Sequence, residues 1–159
     1  MENLIRGFLF ACTNKSEEEC LANLLFATEK SYGPVVIRIR EGDLLFLNNI
    51  ETDTLFGVFR AVSDGSHNLK PKAFDGKYPY QVKVGPLGEK ITIIQAKKLL
   101  NRFGVKRNLP LFSKKLLICL FASCLNCPTV ANYIHGVSSV FKEIQKRYPP
   151  NSHVIWSST

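Results

Sequence analysis

No stretch of about 18 uninterrupted apolar residues occurs in this 159-residue chain, so no membrane-spanning helix is expected. The best candidate, Leu116-Leu117-Ile118-Cys119-Leu120-Phe121-Ala122, is far too short. No secretory leader is expected either, because Glu2 and Arg6 bracket too little apolar sequence and no cleavage pattern follows. P-loop, G-x-S-x-G and dinucleotide fingerprints are all missing. His67, His135 and His153 have no nucleophile beside them, so no enzyme activity and no cofactor are expected. Acidic residues are scarce in one region in particular. Residues 70–115 hold twelve Lys/Arg against only Asp75 and Glu89, whereas residues 1–69 hold six Lys/Arg against ten Asp/Glu.

That distribution matters more than the net charge of +8. Lysines on exposed faces often do no more than keep a protein soluble. A continuous basic block nearly free of acids favours the other reading, attraction of a polyanion through counterion release. A hydrophobic content of 45% with 21% charged residues is ordinary for a globular protein and sufficient for a real core. Five cysteines without an export signal read as reduced thiols, which places the protein inside the cell: cytoplasmic, with the nucleus also open. Cys124 and Cys127 have the spacing of a zinc or redox pair. A structural zinc needs four ligands and no second close pair exists, so no metal is expected.

Local patterns outline the elements. Phe8 to Cys12 is a short apolar run suited to a buried strand. Asn14 followed by Glu17 has capping-box spacing, and Cys20, Leu21, Leu24 and Leu25 recur at helical spacing, which predicts a helix over 15–26. Ile37 and Ile39 alternate with Arg38 and Arg40, which predicts a half-buried strand. Polar turns at 41–43 and 51–53 then separate strands over 44–48 and 55–62, giving an antiparallel meander. A loop over 67–77, strands at 80–84 and 91–93, and a basic amphipathic helix ending at Gly104 complete the first part. Lys97, Lys98 and Arg102 read as the solvated face of that helix. Helices are expected within 113–147, and 151–159 reads as a tail.

Three short segments carry a resemblance. Leu45-Phe46-Leu47, Pro79-Tyr80-Gln81-Val82 and Pro86-Leu87-Gly88-Glu89 resemble, in this order, the LFL, PAQV and PLxE hallmarks of the plant development and cell death (DCD) domain. Leu25-Phe26-Ala27-Thr28 stands where that family has FGLP. The same order is similar to the wider PUA-like group, which includes the EVE and YTH domains. The resemblance implies an α+β fold with an antiparallel, partly closed sheet or barrel over 1–108, flanking helices, and a helical C-terminal extension over 109–150.

It also implies a non-catalytic binding module for RNA or a modified or flipped nucleotide. By position, Phe26 and Phe74 would supply aromatic walls, and Thr13 and Asn14 would meet the base edge. Lys70, Lys72, Lys77 and Lys83 flank the Phe74 loop and would face phosphates. Alternatives stay open at individual positions. Phe26 also has the spacing of a core residue, Phe74 could anchor its own loop, and Asn14 could act as a helix cap. The rival readings are a DCD-type adaptor that binds a protein partner or a second copy through 113–147, and a small-molecule pocket at the same site.

Overall fold

The computed structural model describes residues 7–102 and 156–158. The elements in chain order are β1 (Gly7–Cys12), α1 (Asn14–Asn23), β2 (Leu25–Thr28), a one-turn α2 (Gly33–Val36), β3 (Leu44–Asn49) and β4 (Thr54–Ala61). There follow β5 (Ser66–His67), β6 (Tyr80–Ile94), α3 (Ala96–Arg102) and β7 (Trp156–Ser158). The strands run β1-β3-β4-β6-β2 across one sheet, with β5 and β7 each paired to β6.

Alternation sets the faces of these strands. Phe8, Phe10 and Cys12 of β1 share a buried cluster with Phe26 of β2, Leu45 and Leu47 of β3, Phe56 and Phe59 of β4, and Val82 and Val84 of β6. β1 and β2 lie at opposite ends of the strand order, yet the Phe10 and Phe26 ring centroids are 5.7 Å apart. The sheet therefore curls until its ends meet, which is the partly closed α+β arrangement of a PUA-like domain. Full burial of each such side chain stabilises the fold by about 1.5–3 kcal/mol relative to exposure.

The pairing is mixed and not wholly antiparallel. β1 runs parallel to β3 in the register Gly7↔Leu44 to Cys12↔Asn49, while β3–β4, β4–β6 and β2–β6 are antiparallel. A parallel neighbour requires a crossover, and the chain supplies it through α1, β2 and α2. The strands expected at 80–84 and 91–93 are a single fifteen-residue strand, β6. Residues 156–158, expected to trail as a tail, pair with Ile91–Ile93. The helices expected within 113–147, Cys124 and Cys127, and the surface proposed for self-association all lie outside the described residues.

Two local expectations give way to identifiable forces. The helix predicted over 15–26 ends at Asn23, where Leu24 adopts a left-handed conformation (φ 49°) and donates its N–H to the Cys20 carbonyl. Leu25–Thr28 then pairs with β6, so sheet formation overrides the helical spacing of Leu24 and Leu25. The strand predicted around Ile37 and Ile39 is absent. Pro34 opens α2, and the turn continues as Arg38 and Ile39 donate to the carbonyls of Val35 and Val36 at 3.1 and 3.0 Å. The Asp43 carboxylate then accepts the Arg40 N–H at 2.8 Å. Gly65 closes over this segment, donating to the Ile39 carbonyl at 3.0 Å. A Cβ at Gly65 would lie 1.9 Å from the Val36 carbonyl oxygen, so the close approach requires glycine.

Candidate functional site

At the end of β1 the chain turns into α1, and the cap falls on Thr13 rather than on Asn14. The Thr13 N–H donates to Ser16 Oγ at 3.0 Å, and the two hydroxyls lie 3.4 Å apart. Asn14 has a different task. Its side-chain oxygen accepts from Asn49 Nδ2 at 3.0 Å, and its N–H donates to Glu51 Oε1 at 2.6 Å. Asn49 is only 1% exposed and fully engaged. It also donates to Glu17 Oε1 at 2.7 Å and accepts the N–H groups of Glu51 and Thr52 at 2.9 and 3.1 Å. Asn14 thus fastens the start of α1 to the β3–β4 turn.

On the other side lies the loop from Lys70 to Tyr78. Gln81, the polar member of Pro79-Tyr80-Gln81-Val82, is 1% exposed and stitches both ends of this loop. Its Oε1 accepts the Lys70 N–H at 2.7 Å, and its Nε2 donates to the carbonyls of Lys70 and Tyr78 at 3.1 and 3.0 Å. Glu19 of α1 reaches across to accept the Phe74 N–H at 2.6 Å. Phe74 and Asp75 both have a φ of 54°, in the left-handed region, and these tethers hold them there. The Phe74 and Tyr78 rings meet edge to face with centroids 5.6 Å apart.

Between these two walls opens a cavity of about 230 Å³. Phe74, Tyr78 and Tyr32 give it aromatic sides, Thr13 and Ser16 supply hydroxyls, Glu29 brings a carboxylate, and Cys12 and Cys20 are among its lining groups. Its size is below the range of about 300–1,000 Å³ typical of drug-sized ligands, and suits one small planar group.

The expected residues divide accordingly. Thr13 and Phe74 line the cavity; Phe26 and Asn14 do not. Phe26 is 0% exposed, with its ring 5.7 Å from Phe10 and 5.1 Å from Phe59, and is a core residue. The register explains this: Phe26 pairs with Val82, whose side chain points into the curled sheet. Asn14 lies outside the cavity lining, and its side-chain oxygen accepts from Asn49. Lys70, Lys72, Lys77 and Lys83 are all exposed, and none lines the cavity. The first three lie on the tethered loop around Phe74. Lys83 sits opposite Leu25, three positions along β2 from the Thr28 that borders the cavity, a distance of roughly 10 Å. Tyr32 and Tyr78 went unassigned in the sequence. Their signals were the turn Ser31-Tyr32-Gly33-Pro34 and the doubled tyrosine of Lys77-Tyr78-Pro79-Tyr80.

The two thiols are not nucleophiles. Burial pushes Cys12 well above the ordinary thiol value, with Cys20, Glu17 and Glu51 adding to the rise. Burial raises Cys20 to about 12, helped by Glu19 and Glu17. A thiol in this state reacts poorly at neutral pH. His67 lies outside the cavity lining, 5.0 Å from the Tyr80 ring. The folded state therefore retains protons that an unfolded chain releases once the pH passes 9.0. Stability is level below that pH and falls above it, by up to ~1.4 kcal/mol per pH unit for each thiol. Urea titrations of wild type and Cys12→Ala/Cys20→Ala between pH 8 and 11 check this, and the variant is expected to show the shallower fall.

The family model for the development and cell death domain matches residues 6–100. The chain belongs to the development and cell death domain family. Among its relatives, the B2 protein of Daucus carota is 37% identical over 87 residues, 50% of this chain and 42% of that protein. The DCD domain-containing protein NRP-B of Glycine max is 36% identical over 90 residues, 52% of this chain and 27% of that protein. The match thus spans less than half the length of either relative. Among solved structures, the mmi1 YTH domain in complex with RNA superposes with a TM-score of 0.54 at 12% identity, covering 76% of this chain and 84% of that one. The Pho92 YTH domain in complex with m6A gives 0.53 at 15% identity, covering 73% and 81%. These likenesses establish that the DCD domain here has the fold of a YTH domain. Among the described residues no helix is long and apolar enough to cross a membrane.

Proposed function

We propose that this DCD domain is a non-catalytic reader of single-stranded RNA that accepts one unstacked base into the cavity between α1 and the Phe74 loop. The observation that carries the reading is the cavity itself: about 230 Å³, with Phe74, Tyr78 and Tyr32 in its walls and the Thr13 and Ser16 hydroxyls at its side. Aromatic walls attract any base through its π-face, while hydroxyls discriminate its edge. A duplex hides that face, so an unpaired or flipped base is required. Lys70, Lys72 and Lys77 surround the aromatic loop without entering the cavity, which suits them to the flanking phosphates, with Lys83 farther along β6 as an outer contact. The YTH domains of the same fold that were solved with RNA and with m6A support the choice of ligand class. Burial holds both cavity thiols protonated, which fits a site that binds rather than one that uses a cysteine nucleophile.

Fluorescence anisotropy with short single-stranded RNA across a salt series tests the reading. Affinity is expected to fall as salt rises. A Lys70→Ala/Lys72→Ala/Lys77→Ala variant is expected to flatten the slope of log affinity against log salt by about 2, at roughly 0.7 for each phosphate no longer neutralised. Absence of binding even at low salt refutes an RNA reader.

A further inference from the structure

The cavity and its surroundings carry opposite charge. Glu29 lines the cavity, and no lysine or arginine does. Two more carboxylates are fixed beside it by backbone hydrogen bonds: Glu19 on the Phe74 N–H at 2.6 Å, and Glu51 on the Asn14 N–H at 2.6 Å. Glu17 is held next to them by Asn49 at 2.7 Å. The same negative groups help to raise the thiols of Cys12 and Cys20, so their field reaches the cavity lining. Outside, the loop that delivers Phe74 and Tyr78 exposes Lys70, Lys72 and Lys77.

A neutral base offers Glu29 at most an N–H donor, whereas a cationic ring adds the full attraction of opposite charges. A lysine-bearing peptide would suit the carboxylates but would be repelled by the three exposed lysines of the Phe74 loop. One chemistry fits both parts: a cationic ring attached to an anionic strand. We propose, resting on the RNA-reading function above, that the preferred occupant is an N-methylated purine whose ring carries a delocalised positive charge. Phe74, Tyr78 and Tyr32 then act on a cation through their ring faces, which strengthens stacking beyond that of a neutral base. Glu29 supplies the counter-charge, and the small apolar surface of Ala11 and Ala27 with the two thiols leaves room for a methyl group.

Two positional isomers, compared on wild type and on Glu29→Gln, test the charge. RNA heptamers carrying a central 1-methyladenosine, which is cationic at pH 7, or N6-methyladenosine, which is neutral, differ in charge and in the position of one methyl group, and the Glu29 variant separates the two effects. The 1-methyl isomer is expected to bind about tenfold more tightly. Glu29→Gln is expected to cut that ratio to about threefold; the exposed Glu29 side chain has one hydrogen bond, from Ser31 Oγ at 2.7 Å, so the variant keeps the fold. Equal binding of the isomers, or tighter binding of the neutral one, overturns the inference and leaves the RNA reading standing. Failure of both isomers and of the unmodified heptamer at low salt overturns the two together. A trimethyl-lysine peptide that outcompetes the 1-methyl RNA also overturns it, by moving the cation to a protein ligand.

Discussion

Phe26→Ala is expected to lower the stability of the domain by about 3–5 kcal/mol, the usual cost of removing a buried phenyl ring. The ring is 0% exposed and sits between Phe10 of β1 and Phe59 of β4, where it joins the two ends of the curled sheet. The loss is large against a typical total of about 5–15 kcal/mol. Phe26→Leu refills part of the space and is expected to cost about 1–2 kcal/mol. Because the ring does not line the cavity, Phe26→Leu is also expected to leave RNA affinity within about twofold of wild type. Urea melts and anisotropy on the same preparations separate the two effects. A stable Phe26→Leu protein that no longer binds RNA would place the ring in the ligand's path and undo its assignment to the core.

Phe74→Leu is expected to show the opposite balance. Leucine keeps part of the apolar volume at a residue that is 6% exposed and tolerates the left-handed backbone about as well as phenylalanine does, so the cost should be about 1–2 kcal/mol, as at Phe26, and the domain should stay folded. What is lost is the flat π-face beside Tyr78. Stacking on one aromatic ring contributes roughly 1–3 kcal/mol, so affinity for single-stranded RNA is expected to fall about 5- to 150-fold. The salt dependence should persist, because the lysines are untouched. An unchanged affinity in a folded Phe74→Leu protein would mean that charge alone holds the RNA.

These two phenylalanines also mark how far the sequence could be read. Phe74 stands next to Lys72 and Lys77 in a loop whose ends are set by Gln81, and that motif is visible as Pro79-Tyr80-Gln81-Val82. Phe26 follows Cys20, Leu21, Leu24 and Leu25 at helical spacing, so local periodicity carries the helix straight through it. The pairing that pulls Phe26 into a strand comes from Val82, far away in sequence, and no local pattern reports a contact of that kind. The parallel match of β1 with β3 was hidden for the same reason, since alternation gives a strand its faces but not the direction of its neighbour. Ile37 and Ile39 alternate like a strand, yet Pro34 and the Asp43 carboxylate close a turn there first. Asn14 was legible as a polar residue at a helix start; the buried Asn49 that claims it was not.

β6 gives the domain a particular birth order. Leu25 and Phe26 find their strand partners only at Lys83 and Val82, so β2 must wait while up to 58 further residues are added behind Leu25. At a synthesis rate of about 5–20 residues per second the wait lasts roughly 3–12 s, and the ribosomal exit tunnel prolongs it. Throughout that interval Leu25 and Phe26, both fully buried at the end, lack the β6 strand that completes their cover. A chaperone that grips short apolar segments therefore has its window here. A stop codon placed before Tyr80 should yield a product destined for degradation, because β2 and the later edge of β4 would never be covered.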